Sequence, residues 1–194
     1  MKAFTLIELL VSISILGILA AMSISAYPKF SEQISLTSET YKLLAYLRET
    51  QAYGVSAVAQ PGTKFVYSYV INKSTTTISR VKIENPTDST NQYYINNATE
   101  DPSSKKLYIK NNYEIFQING ITNNSTTSLD FAYGFFKRPN PDSRVIGKVG
   151  TNIYPDVDTG SYTKLEIILR SKKNNAFMKK VVILSTGQMY VADW

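Results

Sequence analysis

The sequence contains no cysteine and no histidine, and these two absences remove the commonest kinds of catalytic chemistry. Without cysteine there is no disulfide and no thiolate nucleophile, and without histidine there is no imidazole base and no ordinary zinc site. Two Ser-x-x-Lys tetrapeptides remain, Ser103–Lys106 and Ser161–Lys164, but neither has the Ser-Asp-Asn or Lys-Thr-Gly companion of the serine–lysine enzymes. We therefore expect a protein that is not an enzyme and that needs no cofactor.

Charge is missing from a long stretch near the N-terminus. Leu9–Ala26 holds 18 residues without a charge, and the wider segment 4–27 reaches the roughly 20 residues with which a helix crosses a bilayer. Because Lys2 precedes this segment, the positive-inside rule predicts a cytoplasmic N-terminus and an exported remainder. A cleaved secretory signal is the alternative, since residues 20–26 include small side chains, but its start would be more basic and its apolar core shorter.

One carboxylate, Glu8, lies at the edge of this apolar stretch. An ionised side chain in the hydrocarbon costs at least about 2.5–3.5 kcal/mol, so an acid at this place indicates a function and a partner. The nearest candidate partner is an N-terminal amine. We expect the carboxylate to be costly in a single chain and to be relieved when chains assemble.

Beyond the membrane segment the pattern becomes that of an amphipathic helix. Apolar residues recur at helical spacing among charged ones; they are Leu36, Leu43, Leu44, Leu47, Val55 and Val58. Pro28 separates the two halves, and because proline lacks an amide donor and clashes with the preceding turn, it predicts a kink or a local opening. The alternative is a membrane anchor followed by a separate soluble helix.

From Gln60-Pro61-Gly62 onward the apolar period changes to two, which predicts a β-rich exported domain over residues 61–194. Most of its strands should be antiparallel. The predicted strands are Phe65–Ile71, Thr77–Ile83, Tyr93–Ile95, Leu107–Ile109, Tyr113–Ile118, Leu129–Phe136, Leu165–Arg170, Met178–Leu184 and Met189–Val191.

The connections within this domain are also predictable. The high apolar content of Leu165–Leu169 and Lys180–Leu184 predicts a central hairpin, with Ser171–Ala176 as its loop. Asn119-Gly120 and Thr186-Gly187 are typical of turns. Residues 137–163, with several prolines and glycines, indicate a long surface loop.

The net charge of +6 resides in residues 61–194, where 17 basic side chains face 11 acidic ones. Clusters of this kind can bind phosphates without sequence specificity, but a solvated lysine surface is the preferred explanation. The first cluster, which we call the lysine hairpin, comprises Arg170, Lys172, Lys173, Lys179 and Lys180. The second comprises Lys137, Arg138, Arg144 and Lys148.

One segment has a pattern that suits a cation. The alternating Asp156 and Asp158 can direct several oxygens at calcium, but Gly160 and Glu166 do not fall at the positions that an EF-hand loop requires. An Asx turn explains the same residues. We therefore expect no metal site, with calcium at Asp156 and Asp158 as the alternative.

The N-terminal octapeptide Ala3–Leu10 resembles the class III leader of type IV pilins and pseudopilins. The resemblance implies that a prepilin peptidase cuts between Ala3 and Phe4 and that the new amine of Phe4 is methylated. It also implies that Glu8 pairs with the amine of a neighbouring subunit during assembly. The residue before the cut is usually glycine, and here it is alanine.

The later sequence resembles the GspH/FimT group of minor pilins and pseudopilins. The likeness lies in Ala45–Ala57, in Gln60-Pro61-Gly62 and in the hairpin that ends at Val181–Gly187. Some FimT-type pilins bind DNA through a Gly-Arg-x-Arg pattern, whereas this chain has Gly187-Gln188-Met189-Tyr190. The arginines are missing, so the resemblance does not extend to nucleic acid as a partner.

The resemblance implies an α+β fold in which a long N-terminal helix packs on an antiparallel β-sheet. The expected organisation is a leader over 1–3, a transmembrane and assembly half of the helix over 4–27, an amphipathic half over 28–60 and the exported domain over 61–194. The expected function is that of a structural subunit of a type IV pilus or a type II secretion apparatus. Its partners would be prepilin peptidase, other pilin subunits and an inner-membrane assembly platform.

Two other functions stay open at the level of sequence. The first is a binding module at the pilus tip or surface, for DNA uptake or adhesion, that uses residues 137–163 and the lysine hairpin. The second is a membrane-anchored protein that never polymerises. The subunit would be a single-pass membrane protein before assembly and would then lie in a pilus on the cell surface or a pseudopilus in the periplasm.

Overall fold

The computed structural model describes residues 5–56, 65–84, 90–122, 125–136, 143–154 and 161–194. The chain divides into two compact units, Met1–Ser35 and Leu36–Trp194. The first helix, α1 (Leu6–Ser56), runs through both units. A short second helix, α2 (Asn91–Asn97), lies in the second unit.

The strands all belong to the second unit, and all of their pairings are antiparallel. In chain order they are β1 (Phe65–Asn72), β2 (Thr77–Glu84), β3 (Thr99–Glu100), β4 (Leu107–Tyr108), β5 (Tyr113–Ile121), β6 (Thr126–Ser128), β7 (Phe131–Phe136), β8 (Ser143–Val149), β9 (Asn152–Tyr154), β10 (Lys164–Ser171), β11 (Met178–Leu184) and β12 (Met189–Asp193). Together with α1 they confirm the α+β class predicted from the sequence.

The strands form two sheets rather than the single sheet that the sequence predicts. The first sheet has the order β3-β2-β1-β7-β8-β9, and β4 also pairs with β2. The second sheet has the order β12-β11-β10-β5-β6. Strands β10 and β11 lie inside the second sheet, which confirms the central hairpin, and Ser171 and Phe177 close its loop through a backbone hydrogen bond of 3.0 Å.

Helix α1 is continuous through Pro28, so a kink there stays a prediction. Its part in the second unit is amphipathic as expected, because Leu36, Leu43, Leu44 and Leu47 are all buried. Each fully buried leucine contributes about 1.5–3 kcal/mol relative to an exposed one. Val55, however, is 38% exposed and does not belong to the core, and Val58 lies outside the described residues.

The main core joins the buried leucines of α1 to the inner faces of both sheets. The first sheet contributes Tyr69, Ile71, Ile78, Ala132, Phe136 and Val145, and the second contributes Ile115, Ile118, Leu165, Ile167, Leu169, Val181 and Ile183. A smaller cluster lies on the other face of the first sheet. It contains Val66, Ile83, Phe135 and Ile146, and it is covered by Tyr94 and Ile95 of α2.

The prediction of a strand at Tyr93–Ile95 is wrong, because these residues belong to α2. Thr90 caps this helix: its hydroxyl accepts a hydrogen bond from the Tyr93 amide at 3.2 Å. Tyr94 and Ile95 are apolar and β-prone, but burial against the first sheet outweighs that local preference.

Asn119-Gly120 is not a turn, since β5 continues through it to Ile121. The glycine serves close packing instead of a tight turn. A Cβ at position 120 would overlap the ring of Tyr162, which lies directly against the backbone there. Thr186-Gly187 is a turn as predicted, and the Gly187 amide donates to the Leu184 carbonyl at 2.9 Å.

The interpretation of 137–163 as one long surface loop is wrong over residues 143–154. Strand β8 extends the first sheet beside β7, and β9 pairs with β8 in turn. Val145 and Ile146 alternate between the two faces of the sheet, and each is fully buried. The prolines and glycines around this short hairpin favour a loop in the sequence pattern, although the residues between them form a regular strand.

The predicted strand Leu129–Phe136 is β7, which begins two residues later, at Phe131. Strand β6 belongs to the second sheet and β7 to the first. The chain crosses between them at Leu129 and Asp130, and the Leu129 side chain is buried where the sheets meet.

Candidate functional site

The first unit presents an apolar surface on every side of helix α1. Each side chain described from Leu6 to Ile24 is exposed, and the exposed fraction reaches 81% at Leu6 and 73% at Ile24. A helix that is apolar all round is typical of a membrane span or of the interior of a helical assembly. By length and composition this helix can cross a membrane.

Polar atoms within this segment are satisfied inside the helix itself. The Ser12, Ser14 and Ser23 hydroxyls donate to carbonyls one turn earlier, at 2.7, 2.8 and 3.0 Å. In hydrocarbon an unsatisfied polar group costs several kcal/mol, so internal hydrogen bonds of this kind permit serine in a membrane span. The 21 residues from Leu6 to Ala26 extend for about 31 Å, which matches the hydrocarbon core.

Glu8 and Thr5 form a capping box at the start of α1. The Thr5 amide and hydroxyl donate to Glu8 Oε2 at 3.0 and 2.8 Å, and the Glu8 amide donates to the Thr5 hydroxyl at 3.3 Å. This reciprocal arrangement satisfies amides that have no partner within the helix. The pattern Thr-x-x-Glu before an apolar run is the sequence signature of such a box. From the sequence, Glu8 is interpreted only as an assembly residue, and the capping box is not predicted.

This geometry changes what is expected of Glu8 in the single chain. Its carboxylate already accepts two hydrogen bonds from its own chain, so the cost of keeping it near the hydrocarbon is partly offset before any assembly. The helix N-terminus adds a favourable partial positive charge. Pairing of Glu8 with the amine of a neighbouring chain stays a prediction, and Ala3 and Phe4 lie outside the described residues.

Three members of the lysine hairpin are bound in ion pairs. Arg170 pairs with Glu114, Lys179 with Asp193, and Lys180 with Glu166 at 3.3 Å. Lys164 also contacts Glu166, at 2.6 Å. Burial alone raises the pKa of Glu166, but hydrogen bonds from these two lysines outweigh it and leave the pKa below its ordinary value.

The cations of the two clusters do not gather into one surface. Lys172 and Lys173 are exposed at the loop, whereas Lys179 and Lys180 alternate along β11 and therefore point to opposite faces of the second sheet. In the second cluster, Lys148 is half-buried and Arg144 lies 5.1 Å from the centre of the Tyr94 ring. Lys137 and Arg138 lie outside the described residues.

The possible calcium ligands, Asp156 and Asp158, also lie outside the described part of the chain. Within the described ranges, no group of three or more acidic side chains is arranged so as to hold a metal ion.

Sequence reasoning missed a buried arginine that ties α1 to the first sheet. The Arg80 Nε donates to Asp101 Oδ2 at 2.8 Å, its Nη1 lies 3.5 Å from Glu49 Oε1, and its guanidinium carbon is 3.9 Å from the centre of the Tyr53 ring. Burial alone raises the pKa of Asp101, but hydrogen bonds from Ser103 and Arg80 outweigh it and lower the pKa overall. Its partners are far apart in the sequence, so no local pattern indicates them.

The α+β fold with its exposed apolar helix fits a membrane-anchored precursor. Residues 1–24 match the family model of the prokaryotic N-terminal methylation motif. No curated protein and no solved structure matches the chain. The motif, followed by a long helix packed on antiparallel sheets, supports a type IV pilin-like protein.

This assignment carries a limited set of consequences. The motif family is structural rather than catalytic. The leader implies processing by a prepilin peptidase and assembly with other pilins. Leader and apolar helix together fit a membrane-anchored precursor. The match covers only the N-terminal segment of the 194 residues and gives no information on the sheets.

Proposed function

We propose that this chain is a minor pilin or pseudopilin, close to the GspH/FimT group, that serves as a structural subunit of a type IV pilus or a type II secretion apparatus. Prepilin peptidase removes residues 1–3, and the amine of Phe4 is methylated. The precursor has its N-terminus in the cytoplasm and its sheets outside. It then moves from the bilayer into a helical bundle at an inner-membrane assembly platform, and it has no catalytic activity.

The observation that carries this proposal is the capped carboxylate at the start of an exposed apolar helix. Glu8 is the acidic residue of the segment from Thr5 to Ile24, and every other side chain described there is apolar, small or a hydroxyl. In a bundle of such helices, one ion pair placed among apolar side chains favours a single register, because any other register leaves the charge buried and unpaired.

Thr5 adds a physical role to this scheme. By holding Glu8 Oε2 through its amide and hydroxyl, it fixes the direction of the carboxylate before a second chain arrives. A fixed acceptor loses less side-chain entropy when it pairs than a free one does. The subunit therefore enters the bundle with its register-selecting group already oriented.

A substitution at Glu8 tests the assembly mechanism. We expect Glu8→Ala to accumulate in the membrane as a subunit and to enter filaments at least about tenfold less than the parent, since a lost buried pair costs well over the 1.4 kcal/mol that corresponds to tenfold. The measurement is the amount of subunit in sheared filaments against the amount in membranes. Glu32→Ala, which removes another acid of the same helix, is the control and should assemble normally.

Normal assembly of Glu8→Ala would argue against the pairing mechanism. Loss of assembly in both variants would mean that any loss of charge from α1 is harmful, so the effect would not be specific to Glu8. A Thr5→Ala variant should show an intermediate defect, because it removes the hydroxyl but keeps the carboxylate.

The ion pairs of the lysine hairpin favour this structural role over binding of nucleic acid. Three of its five cations face carboxylates, so a phosphate backbone would have to replace existing pairs instead of releasing counterions from free side chains.

A further inference from the structure

A cleft of about 730 Å³ opens between the two sheets of the second unit. One wall comes from the end of β1, the turn after it and the start of β7, and the other comes from β5 and β10. The volume lies within the range of about 300–1,000 Å³ that is usual for small-molecule sites. Helix α1 contributes no lining residue, so the cleft is separate from the assembly segment.

A β-bulge shapes the wall that belongs to the second sheet. The pairing of β10 with β5 changes register between Ile168 and Leu169, which face Gln117 and Ile115, so Phe116 is the extra residue. A bulge re-aims a side chain and is common beside functional sites. Here it sets the Phe116 ring against Arg170, with the guanidinium carbon 3.9 Å from the ring centre.

Arg170 is thereby fixed on two sides. Its Nε donates to Glu114 Oε1 at 2.9 Å, and its Nη2 contacts the same oxygen. A guanidinium has five N–H donors, so three more are available to a ligand after these two. The group is a preorganised donor, because the ring and the carboxylate already hold its plane.

The opposite wall holds an acceptor that is anchored equally well. Asp130 is fixed by its backbone, whose amide donates to the Lys148 carbonyl at 2.8 Å and whose carbonyl accepts from the Lys73 amide at 3.0 Å. Its Oδ2 accepts from the Gly150 amide at 2.9 Å. The second carboxylate oxygen, Oδ1, remains as an acceptor on a carboxylate that is held in place, and Lys73 lines the same cleft.

The charges of the cleft are balanced. Its lining contains two cations, Lys73 and Arg170, and two carboxylates, Glu114 and Asp130. A site for an anion needs an excess of donors and positive charge. Donors and acceptors in equal supply suit a neutral ligand whose hydroxyl groups both donate and accept.

Apolar surface completes the site, since Phe116 and Phe131 both line the cleft and are half-buried. Aromatic faces with a few fixed polar groups give affinity and orientation at the same time. A sugar ring has both of the matching features, C–H faces and a rim of hydroxyl groups. We propose that this cleft binds a neutral saccharide, a function beyond assembly that does not depend on it.

The test uses the full chain in a phosphocholine detergent, because maltoside and glucoside detergents carry sugar head groups that would compete. An array of neutral oligosaccharides is screened, with maltotriose, cellotriose and triacetylchitotriose as soluble probes for calorimetry. The expected result is saturable binding of at least one neutral saccharide with a Kd at or below about 1 mM.

Two variants locate the binding in the cleft. Asp130→Asn and Lys73→Met should each weaken it by about tenfold or more, since each removes a charge-assisted hydrogen bond. Asp193→Asn and Lys173→Met are matched controls, because they remove the same charges at exposed positions outside the cleft, and they should leave the Kd unchanged. Thermal melting of all four variants shows that the fold is intact.

Three results would overturn the proposal: no saturable binding of any neutral saccharide, binding that neither Asp130→Asn nor Lys73→Met weakens, or tighter binding of inorganic phosphate or a heparin fragment than of every neutral probe.

Discussion

At the scale of single residues, the carboxylates that the structure describes are informative through the partners that bind them. Glu8 is bound by Thr5 at the start of α1, and Asp101 is bound by Arg80 and Ser103 at the first sheet. The Glu8–Thr5 contact stabilises a charge that lies next to the apolar segment. The Asp101–Arg80 pair lies where a charge is buried by packing, and a buried charge stays stable only when it is paired.

The lowered pKa of Asp101 predicts a loss of stability in acid. A carboxylate whose pKa is lower in the folded state contributes stability above its unfolded value, ordinarily 3.8, and loses that contribution as pH falls through the folded pKa. We expect Asp101→Asn to lower the free energy of unfolding by about 2–3 kcal/mol at neutral pH. The difference from the parent should be constant above about pH 5 and should shrink as pH falls through the unfolded value towards the lower folded pKa.

Chemical denaturation across this pH range measures the effect, with Asp193→Asn as the control. Asp193 is exposed, and its loss should change stability by less than about 1 kcal/mol at any pH. A constant difference between the parent and Asp101→Asn from neutral pH to acid would contradict the account, because it would mean that the charge of Asp101 contributes nothing.

The hydrogen-bond and ion-pair partners of a side chain could be predicted from the sequence only where they lie within a few residues of it. The Thr5-x-x-Glu8 box is visible in four residues, although its meaning was missed. Arg80 meets Asp101 and Glu49 only after α1 and the first sheet have packed. The cleft depends in the same way on Lys73, in the turn after β1, and on Arg170 of β10, which share no sequence pattern.

At the scale of elements, helix α1 does more than bury leucines, because it also binds the C-terminal turn. Arg48 Nη2 donates to the Met189 carbonyl and Gln51 Nε2 to the Gly187 carbonyl, both at 2.8 Å. The Met189 carbonyl lies at the start of β12, the edge strand of the second sheet, and the Gly187 carbonyl lies in the turn before it. Edge strands have fewer backbone partners, so side chains from a helix can decide how often they open.

Removal of both donors should loosen β12 selectively. We expect the double variant Arg48→Met/Gln51→Met to raise amide hydrogen exchange in Met189–Asp193 about tenfold, while the central strands β10 and β5 keep their protection. Hydrogen-exchange mass spectrometry of the full chain measures this. Ala52→Gln, on the exposed side of the same helix, is the control, and equal exchange in parent and double variant would contradict the role of the two donors.

Strands with a clear apolar pattern were predicted almost to the residue, and Met178–Leu184 was predicted with its observed bounds. The wrong predictions share one physical cause: in short segments, tertiary contacts determine the secondary structure. Tyr93–Ile95 forms a helix because Thr90 caps it and the first sheet covers it. Residues 143–149 form a strand because β7 offers an edge to pair with, and no local signal reports that.

At the scale of the whole molecule, each unit has its own chemistry. The first unit is exposed and apolar, with internally satisfied serines and one capped carboxylate. The second unit has a main core shared by α1 and two sheets, and several of its cations are held in ion pairs. We therefore propose that the first unit mediates assembly and that the second unit binds a saccharide through its cleft.

The central claim is that the chain is a prepilin whose helix becomes the N-terminus of an assembled subunit. Intact-mass and N-terminal analysis of the chain recovered from membranes of cells that contain a prepilin peptidase tests it most directly. The account predicts loss of residues 1–3 and one added methyl group on the amine of Phe4. A chain that keeps Met1 in those cells, or one cut within residues 20–26, would contradict it.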